Sequence, residues 1–278
     1  MARWATLRTL ERTGRLLDAF RGAEFLGASQ LVRRTRLPLA TVHRLARAMV
    51  TEGLLRYDPA GRKYALGWRI PELSAAMLRA HTIRRAAHPV LLDLRHKTRE
   101  SAQLAVLDGT DIVIIDTEES YAFVREITTP GQRTPAHALS TGKVLMAYLP
   151  DAQLEALLRR RRRHAFTAKT ITAADDLRRE LARVRRQGFA LADEEYEEGV
   201  IGIAAPVFDR WGTAVAAISV GGPRGRIVPR LDAVVAHVRR AAAAVTRALP
   251  WQETRPAAAY NSPPANVSII SRTSSPSG

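Results

Sequence analysis

The chain of 278 residues has no cysteine. Disulfides, thiolate zinc sites and thiol redox sensing are excluded on that ground, although the absence does not by itself define a compartment. It also lacks any apolar run long enough to span a bilayer. Met1 to Phe20 is studded with arginines and holds no uninterrupted apolar stretch. A secretory signal is therefore not expected, and the cytoplasm is the expected location. No internal repeat is visible. Catalytic signatures are missing as well. Gly142-Lys143 is not a phosphate loop, because His137 occupies the upstream glycine position and Val144 follows the lysine. There is no Gly-x-Ser-x-Gly elbow. The seven histidines, at 43, 81, 88, 96, 137, 164 and 237, form no His-Glu-x-x-His pattern. No catalytic residue, metal site or cofactor is expected.

Acidic residues are scarce relative to basic ones, and the net charge is +16. The distribution is uneven. Residues 1–85 hold 17 Lys/Arg against 6 Asp/Glu, whereas residues 86–249 hold 24 against 20. A basic domain followed by a nearly balanced one points to a polyanion partner for the first. An arginine-biased genome is the alternative source of the excess. The length favours two domains, and the apolar fraction of 46% is enough for a sizeable core.

Apolar spacing predicts a helix over 5–20, carried by Leu7, Leu10, Leu17 and Phe20, and a short one near 28–35 with Leu31 and Val32 inward. Pro38 marks a new helix start, running from Leu39 to about Glu52 with Gly53 as its stop. Strands at Leu54–Tyr57 and Arg62–Leu66 flank the turn Asp58-Pro59-Ala60-Gly61. Helix, helix-turn-helix, hairpin is the winged-helix order. A helical segment from Pro71 to about Thr98 is expected to link two domains. Strands then follow at Ala102–Leu107, Asp111–Asp116 and Tyr121–Glu126. Helices are expected at Thr141–Leu149, Asp151–Leu158 and Ala173–Gln187, with further strands at Phe189–Asp193, Ile201–Phe208 and Ala214–Val220. A long alanine-rich helix covers Pro229–Leu249. The whole reads as an α+β chain with an antiparallel sheet in its second domain. The Pro, Ser, Ala and Asn-rich tail from 250 to 278 is expected to be disordered.

On the third helix Val42, Leu45 and Met49 fall on the core face. Thr41, His43, Arg44 and Arg47 remain for the outer surface. Arginine pairs bidentately with guanine in the major groove, and Thr41 can reach a phosphate or a base. Arg62 and Lys63 at the hairpin tip, and Arg33, Arg34 and Arg36 around the turn, suit backbone phosphates. A solvated helix would carry similar arginines. The turn, the hairpin and the local charge excess favour double-stranded DNA. The run Arg159 to Arg163 is read as a solvated loop, with an accessory DNA contact as the alternative.

Several stretches, in order and at matching spacing, resemble the IclR-type transcriptional regulators. They are Leu37 to Leu45, Glu52-Gly53-Leu54-Leu55, Tyr64-Ala65-Leu66-Gly67, Pro135 to Ala147, Leu181 to Ala190, Asp193-Glu194-Glu195 with Gly199, Ile203-Ala204-Ala205-Pro206, and Ser219-Val220-Gly221-Gly222-Pro223. The resemblance spans residues 5–249. It implies a winged helix-turn-helix over 1–70, a connecting helix over 71–88 and a GAF-like effector domain over 89–249. It implies a repressor of transcription, a homodimer or dimer of dimers, and a small effector, often a carboxylate.

Residues Ser140-Thr141-Gly142 open a helix, whose unpaired N–H groups and neighbouring hydroxyls suit an anion. Helix capping alone is the other use for them. The resemblance places Asp193, Gly202, Ser219 and Gly221 around the same pocket; pairing of Asp193 with an arginine at a strand end is the alternative. Relatives often carry polar or thiol side chains where Gly202 and Gly221 stand here, which suggests a roomier pocket for a larger or aromatic acid. This chain also has Leu39-Ala40 where the family often has Lys-Ser, and Arg36 where its turn often has glycine. An operator sequence is therefore not inherited, and Arg36 is strained if its φ is positive. A sensor module with weakened DNA binding and an enzyme on a GAF-like fold are the competing readings.

Overall fold

The computed structural model describes residues 8–160 and 163–249. It divides into two compact units, Met1–Ala80 and His81–Gly278.

The first unit holds α1 (Arg8–Asp18), β1 (Leu26–Gly27), α2 (Ala28–Thr35), α3 (Leu39–Thr51), β2 (Leu55–Asp58), β3 (Lys63–Leu66) and α4 (Arg69–Ala80). The core-facing set of α3 is the expected one, Val42, Leu45 and Met49, joined by Ala46. The first helix is phased differently. Leu16, Ala19 and Phe20 are buried, whereas Leu10 is 64% exposed. Leu16 and Leu17 offered two adjacent apolar phases, and packing against α2 and α3 selects the one through Leu16. β1 was not foreseen. Two residues carry no periodicity, yet Leu26 and Gly27 pair with Tyr64 and Lys63 to give the sheet order β1-β3-β2. The wing turn is closed by Asp58, whose carboxylate accepts the Ala60 and Gly61 N–H groups at 3.0 Å.

The segment expected as one helix from Pro71 to Thr98 is two. α4 ends at Ala80, and α5 runs from Thr82 to Thr98. The connecting helix therefore does not extend unbroken over 71–88. α5 packs on the second unit's sheet with Pro89 in its interior.

That sheet has six antiparallel strands in the order β6-β5-β4-β9-β8-β7. They are β4 (Ser101–Asp108), β5 (Asp111–Glu118), β6 (Arg133–Pro135), β7 (Ala190–Asp193), β8 (Val200–Phe208) and β9 (Ala214–Pro223). Tyr121–Glu126 is not a strand. Its alternation matches a half-buried strand, but Tyr121 is 87% and Phe123 97% exposed, and the chain crosses there as a loop to β6. Helices α6 (Ser140–Ala147), α7 (Asp151–Arg160), α8 (Ala174–Gln187), the short α9 (Arg224–Ile227) and α10 (Leu231–Ala248) complete the unit.

Strand register assigns the faces, because side chains alternate along each strand. Ala105, Ala204 and Ala217 share one face with Val144 and Leu145 of α6 and Leu177 and Leu181 of α8. Leu104, Ile203 and Val220 point to the other face, where α5 and α10 pack. No helix among the described residues is long and apolar enough to cross a membrane. Of the arginine run, Arg159 and Arg160 close α7, and Arg163 is tied to the Leu158 and Thr172 carbonyls at 3.1 and 2.5 Å. Arg161 and Arg162, and the tail expected to be disordered, lie outside the described residues.

The residue that ends α2 tests the backbone logic. Arg36 has φ 56° and donates its N–H to Val32 O at 2.8 Å. A side chain in this left-handed region is unfavourable, whereas glycine adopts it freely. Arg36→Gly is expected to raise the stability of the first unit by about 0.5–1 kcal/mol. The urea midpoint of its unfolding checks this, and a fall of similar size would assign the Arg36 side chain a stabilising contact.

Candidate DNA-reading surface and effector cavity

In the first unit the outer face of α3 presents His43, Arg44 and Arg47, all exposed, with Thr41 half-buried beside them. None of these four makes a side-chain hydrogen bond or ion pair among the described residues, so their donors are available to a ligand. Arg47 lies close enough to the wing's Tyr64 to act on its phenol, which burial pushes above its usual range. Arg62 and Lys63 sit exposed at the wing, Arg62 with φ 50°. Arg33 and Arg36 are also exposed. Arg34 is committed elsewhere: its guanidinium donates to the carbonyls of Ala19 at 2.6 Å and Arg21 at 3.3 Å, closing the end of the first helical segment. Nη1 of Arg34 thus has a structural use that spacing alone does not reveal. Leu39 and Ala40, exposed at the start of α3, leave only apolar contact there.

In the second unit a cavity of about 330 Å³ opens on the sheet face shared with α6. Its floor follows from register. Gln103 pairs with Ser219, Gly202 with Gly221, and Ala192 with Gly202, so all five share that face. Asp193, one residue beyond Ala192, points away. Its carboxylate is held by the Arg224 guanidinium at 2.8 and 3.3 Å, and it is not among the cavity-lining residues. The resemblance-based placement of Asp193 is corrected accordingly. Gly142 does not line the cavity either. A Cβ there would overlap the Ala136 backbone, so glycine is required for close packing of α6 on the preceding turn.

Ser140 and Thr141 do line it, both nearly fully buried at the first positions of α6. Neither hydroxyl has a hydrogen-bond partner among the described residues. The first intrahelical bond runs from Lys143 N to Leu139 O at 2.9 Å, so the N–H groups of the first turn are left for something else. Capping by these hydroxyls is not what the geometry shows, since α6 has no side-chain cap. His137 Nε2 lies 2.9 Å from the His164 carbonyl.

The two glycines do not enlarge the cavity. The space beside Gly202 is taken by Ser140 Oγ, 2.9 Å from where a Cβ would lie. The space beside Gly221 is taken by the carboxyl of Glu126. Burial pushes the Glu126 carboxyl well above the usual range, Gln103 opposes this, and Glu197 adds to it. Gln103 itself is 5% exposed, and its Nε2 has no hydrogen-bond partner within normal geometry. Glu126 and Gln103 were missed from sequence. The first sits in a loop read as a strand, and the second is one polar residue in an apolar strand, a signal that marks an inward polar group only once the register is known.

Behind the cavity, Lys143 of α6 is 1% exposed. Its ammonium bridges Glu180 of α8 at 3.2 Å and Glu195 of the loop after β7 at 2.5 Å. Burial pushes the Glu195 carboxyl up, and Lys143 pulls it back.

The chain matches the IclR helix-turn-helix domain over residues 9–59 and the bacterial transcriptional regulator IclR C-terminal domain over residues 75–247. It belongs to the IclR family of bacterial transcriptional regulators. It is 32% identical over 238 residues to the HTH-type transcriptional regulator BhcR of Paracoccus denitrificans, covering 84% of this chain and 85% of that protein. It is 31% identical over 253 residues to the transcriptional repressor IclR of Escherichia coli, covering 86% and 92%. The crystal structure of an IclR homolog from Microbacterium hydrocarbonoxydans complexed with 4-hydroxybenzoate is similar at 30% identity and a TM-score of 0.75, over 87% of this chain and 98% of that one. As a family member the chain is a DNA-binding transcriptional regulator whose second domain binds a small-molecule effector.

Lys143→Met leaves the buried Glu195 carboxylate without its cation, whereas Glu180 keeps Arg183, and is expected to cost about 3–5 kcal/mol. Thermal unfolding of the second unit measures it. Adding Glu195→Leu is expected to restore part of the loss; no recovery would mean that the ammonium contributes by packing alone.

Proposed function

We propose that this chain is a cytoplasmic repressor that binds a two-fold operator as a homodimer and is released or retained by a small carboxylate. The observation that carries the DNA half is the division of α3, with Val42, Leu45, Ala46 and Met49 inward and unpaired His43, Arg44 and Arg47 outward. In this reading Thr41 assists at the helix start, and Arg33, Arg36, Arg62 and Lys63 hold phosphates. Leu39 reads the groove by apolar contact with a thymine methyl. Leu73 and Met77, exposed one turn apart on α4, form an apolar stripe suited to a second copy, with half-sites about 34 Å apart. A dimer of dimers is a further step of the same kind. The chain acts by binding and not by turnover.

The effector half rests on the unpartnered donors at the N-terminus of α6. Ser140, Thr141 and the adjacent N–H groups meet a carboxylate, Ser219 and Gln103 line the floor, and the cavity volume falls at the small end of ligand sites. The 4-hydroxybenzoate in the related structure supports an aromatic acid among the candidates.

Binding to the DNA upstream of the chain's own gene, followed by fluorescence anisotropy, tests the first half. Arg44→Ala and Arg47→Ala are each expected to weaken specific binding by about 5- to 100-fold. Arg34→Ala should instead lower stability with sequence preference retained. Equal binding of specific and scrambled DNA would favour a sensor with a weakened head. For the second half, Ser140→Ala combined with Thr141→Val should reduce the thermal stabilisation given by benzoate or 4-hydroxybenzoate. Unchanged stabilisation would remove α6 from the anion site.

A further inference from the structure

The loop between β5 and β6 delivers a carboxyl to the cavity by construction. Ser101 Oγ donates to the Glu126 carbonyl at 2.7 Å and accepts the Ser120 N–H at 3.1 Å. Ser120 Oγ donates to Arg99 O at 2.7 Å, and Thr117 and Thr128 hydroxyls meet at 3.2 Å. These bonds fix the backbone on both sides of Glu126, and Ser101 is itself the register partner of Gly221. The side chain then lies over Gly221, where any other residue would displace it.

Two glycines directly opposite on neighbouring strands are thus covered by two different polar groups, Ser140 Oγ over Gly202 and the Glu126 carboxyl over Gly221. Opposed Cα positions are about 5 Å apart, which puts these groups no more than about 10 Å from each other. The cavity floor offers hydroxyl donors for an anion over Gly202 and, beside them over Gly221, an acid near Glu197, with burial and Glu197 both opposing its ionised form. Arg125 does not neutralise it, because its guanidinium pairs with Glu119 at 3.0 Å. Gln103 acts on it as a hydrogen-bond donor, and a ligand hydroxyl or amino group supplies a further partner that an acid without one lacks.

We propose that Glu126 is the specificity-determining residue of the effector cavity, selecting small acids that carry a hydroxyl or amino donor in addition to the carboxylate. Gly221 is the matching half of the device, since its missing side chain makes the room that Glu126 fills. The inference rests on the carboxylate reading of Ser140 and Thr141, and the two are separable.

The full chain is titrated calorimetrically with benzoate, 4-hydroxybenzoate and phenol. The native protein is expected to prefer 4-hydroxybenzoate to benzoate by about 10- to 100-fold. Glu126→Leu should abolish the preference, Glu126→Gln should keep much of it by retaining an acceptor, and Gly221→Ala should reproduce Glu126→Leu by displacing the carboxyl. Equal affinity for the two acids, or a preference that survives Glu126→Leu, overturns the role of Glu126 while leaving the carboxylate site standing. Phenol bound as tightly as 4-hydroxybenzoate, with the same dependence on Glu126, removes the carboxylate reading and keeps Glu126. Binding of none of the three counts against both.

Discussion

A buried ammonium sets the geometry of the effector domain. Lys143 lies inside the packing of α6, and its charge is met by Glu180 from α8 and Glu195 from the loop after β7. Such a cluster is costly to bury and has a sharp geometric optimum, so it discriminates among placements of α6 more than it adds net stability. Gly142 acts in the same direction, letting α6 close onto the Ala136 backbone where no other residue fits. The consequence appears one turn earlier in the helix. With α6 held at this position on the sheet, Ser140 Oγ rests over Gly202, and Ser140 and Thr141 line the cavity. The placement of Ser140 is thus set by residues that do not line the cavity.

Much of the first unit was legible because its elements are short, local and strongly periodic. The inward set of α3, the Pro38 start and the Asp58 turn each rest on neighbours within a few residues. What escaped required partners far along the chain. The phase of α1 was decided by packing on α2 and α3, β1 exists only because β3 lies beside it, and Arg34 is claimed by carbonyls 13 and 15 residues away. The same limit applies in the second unit. Strand positions could be read from alternation, but Tyr121 to Glu126 alternates without being paired, and no local signal separates the two cases.

The site was legible in part for the same reason. Ser140 and Thr141 could be placed from a motif at a helix start, whereas Asp193 was misplaced by a single step of the pleat. Ala192 faces the cavity through its pairing with Gly202, and the next residue must face away. Gly202 and Gly221 were seen correctly as missing side chains and read wrongly as missing volume. A glycine deletes a Cβ, but the space belongs to whatever reaches it, and here Ser140 and Glu126 do.

That substitution of one residue's atoms by another's bears on how specificity is distributed over this fold. When a polar group is carried on the strand itself, its position is fixed by the ladder. Moving it to the β5–β6 loop leaves its position dependent on the hydrogen bonds of Ser101, Ser120, Thr117 and Thr128. The loop also exposes Tyr121, Phe123, Val124 and Ile127, and is tied further by Arg125 to Glu119 and by Arg95 stacked on the Tyr121 ring. The Glu126 side of the cavity therefore depends on a loop, and the Ser140 side on a helix anchored through Lys143.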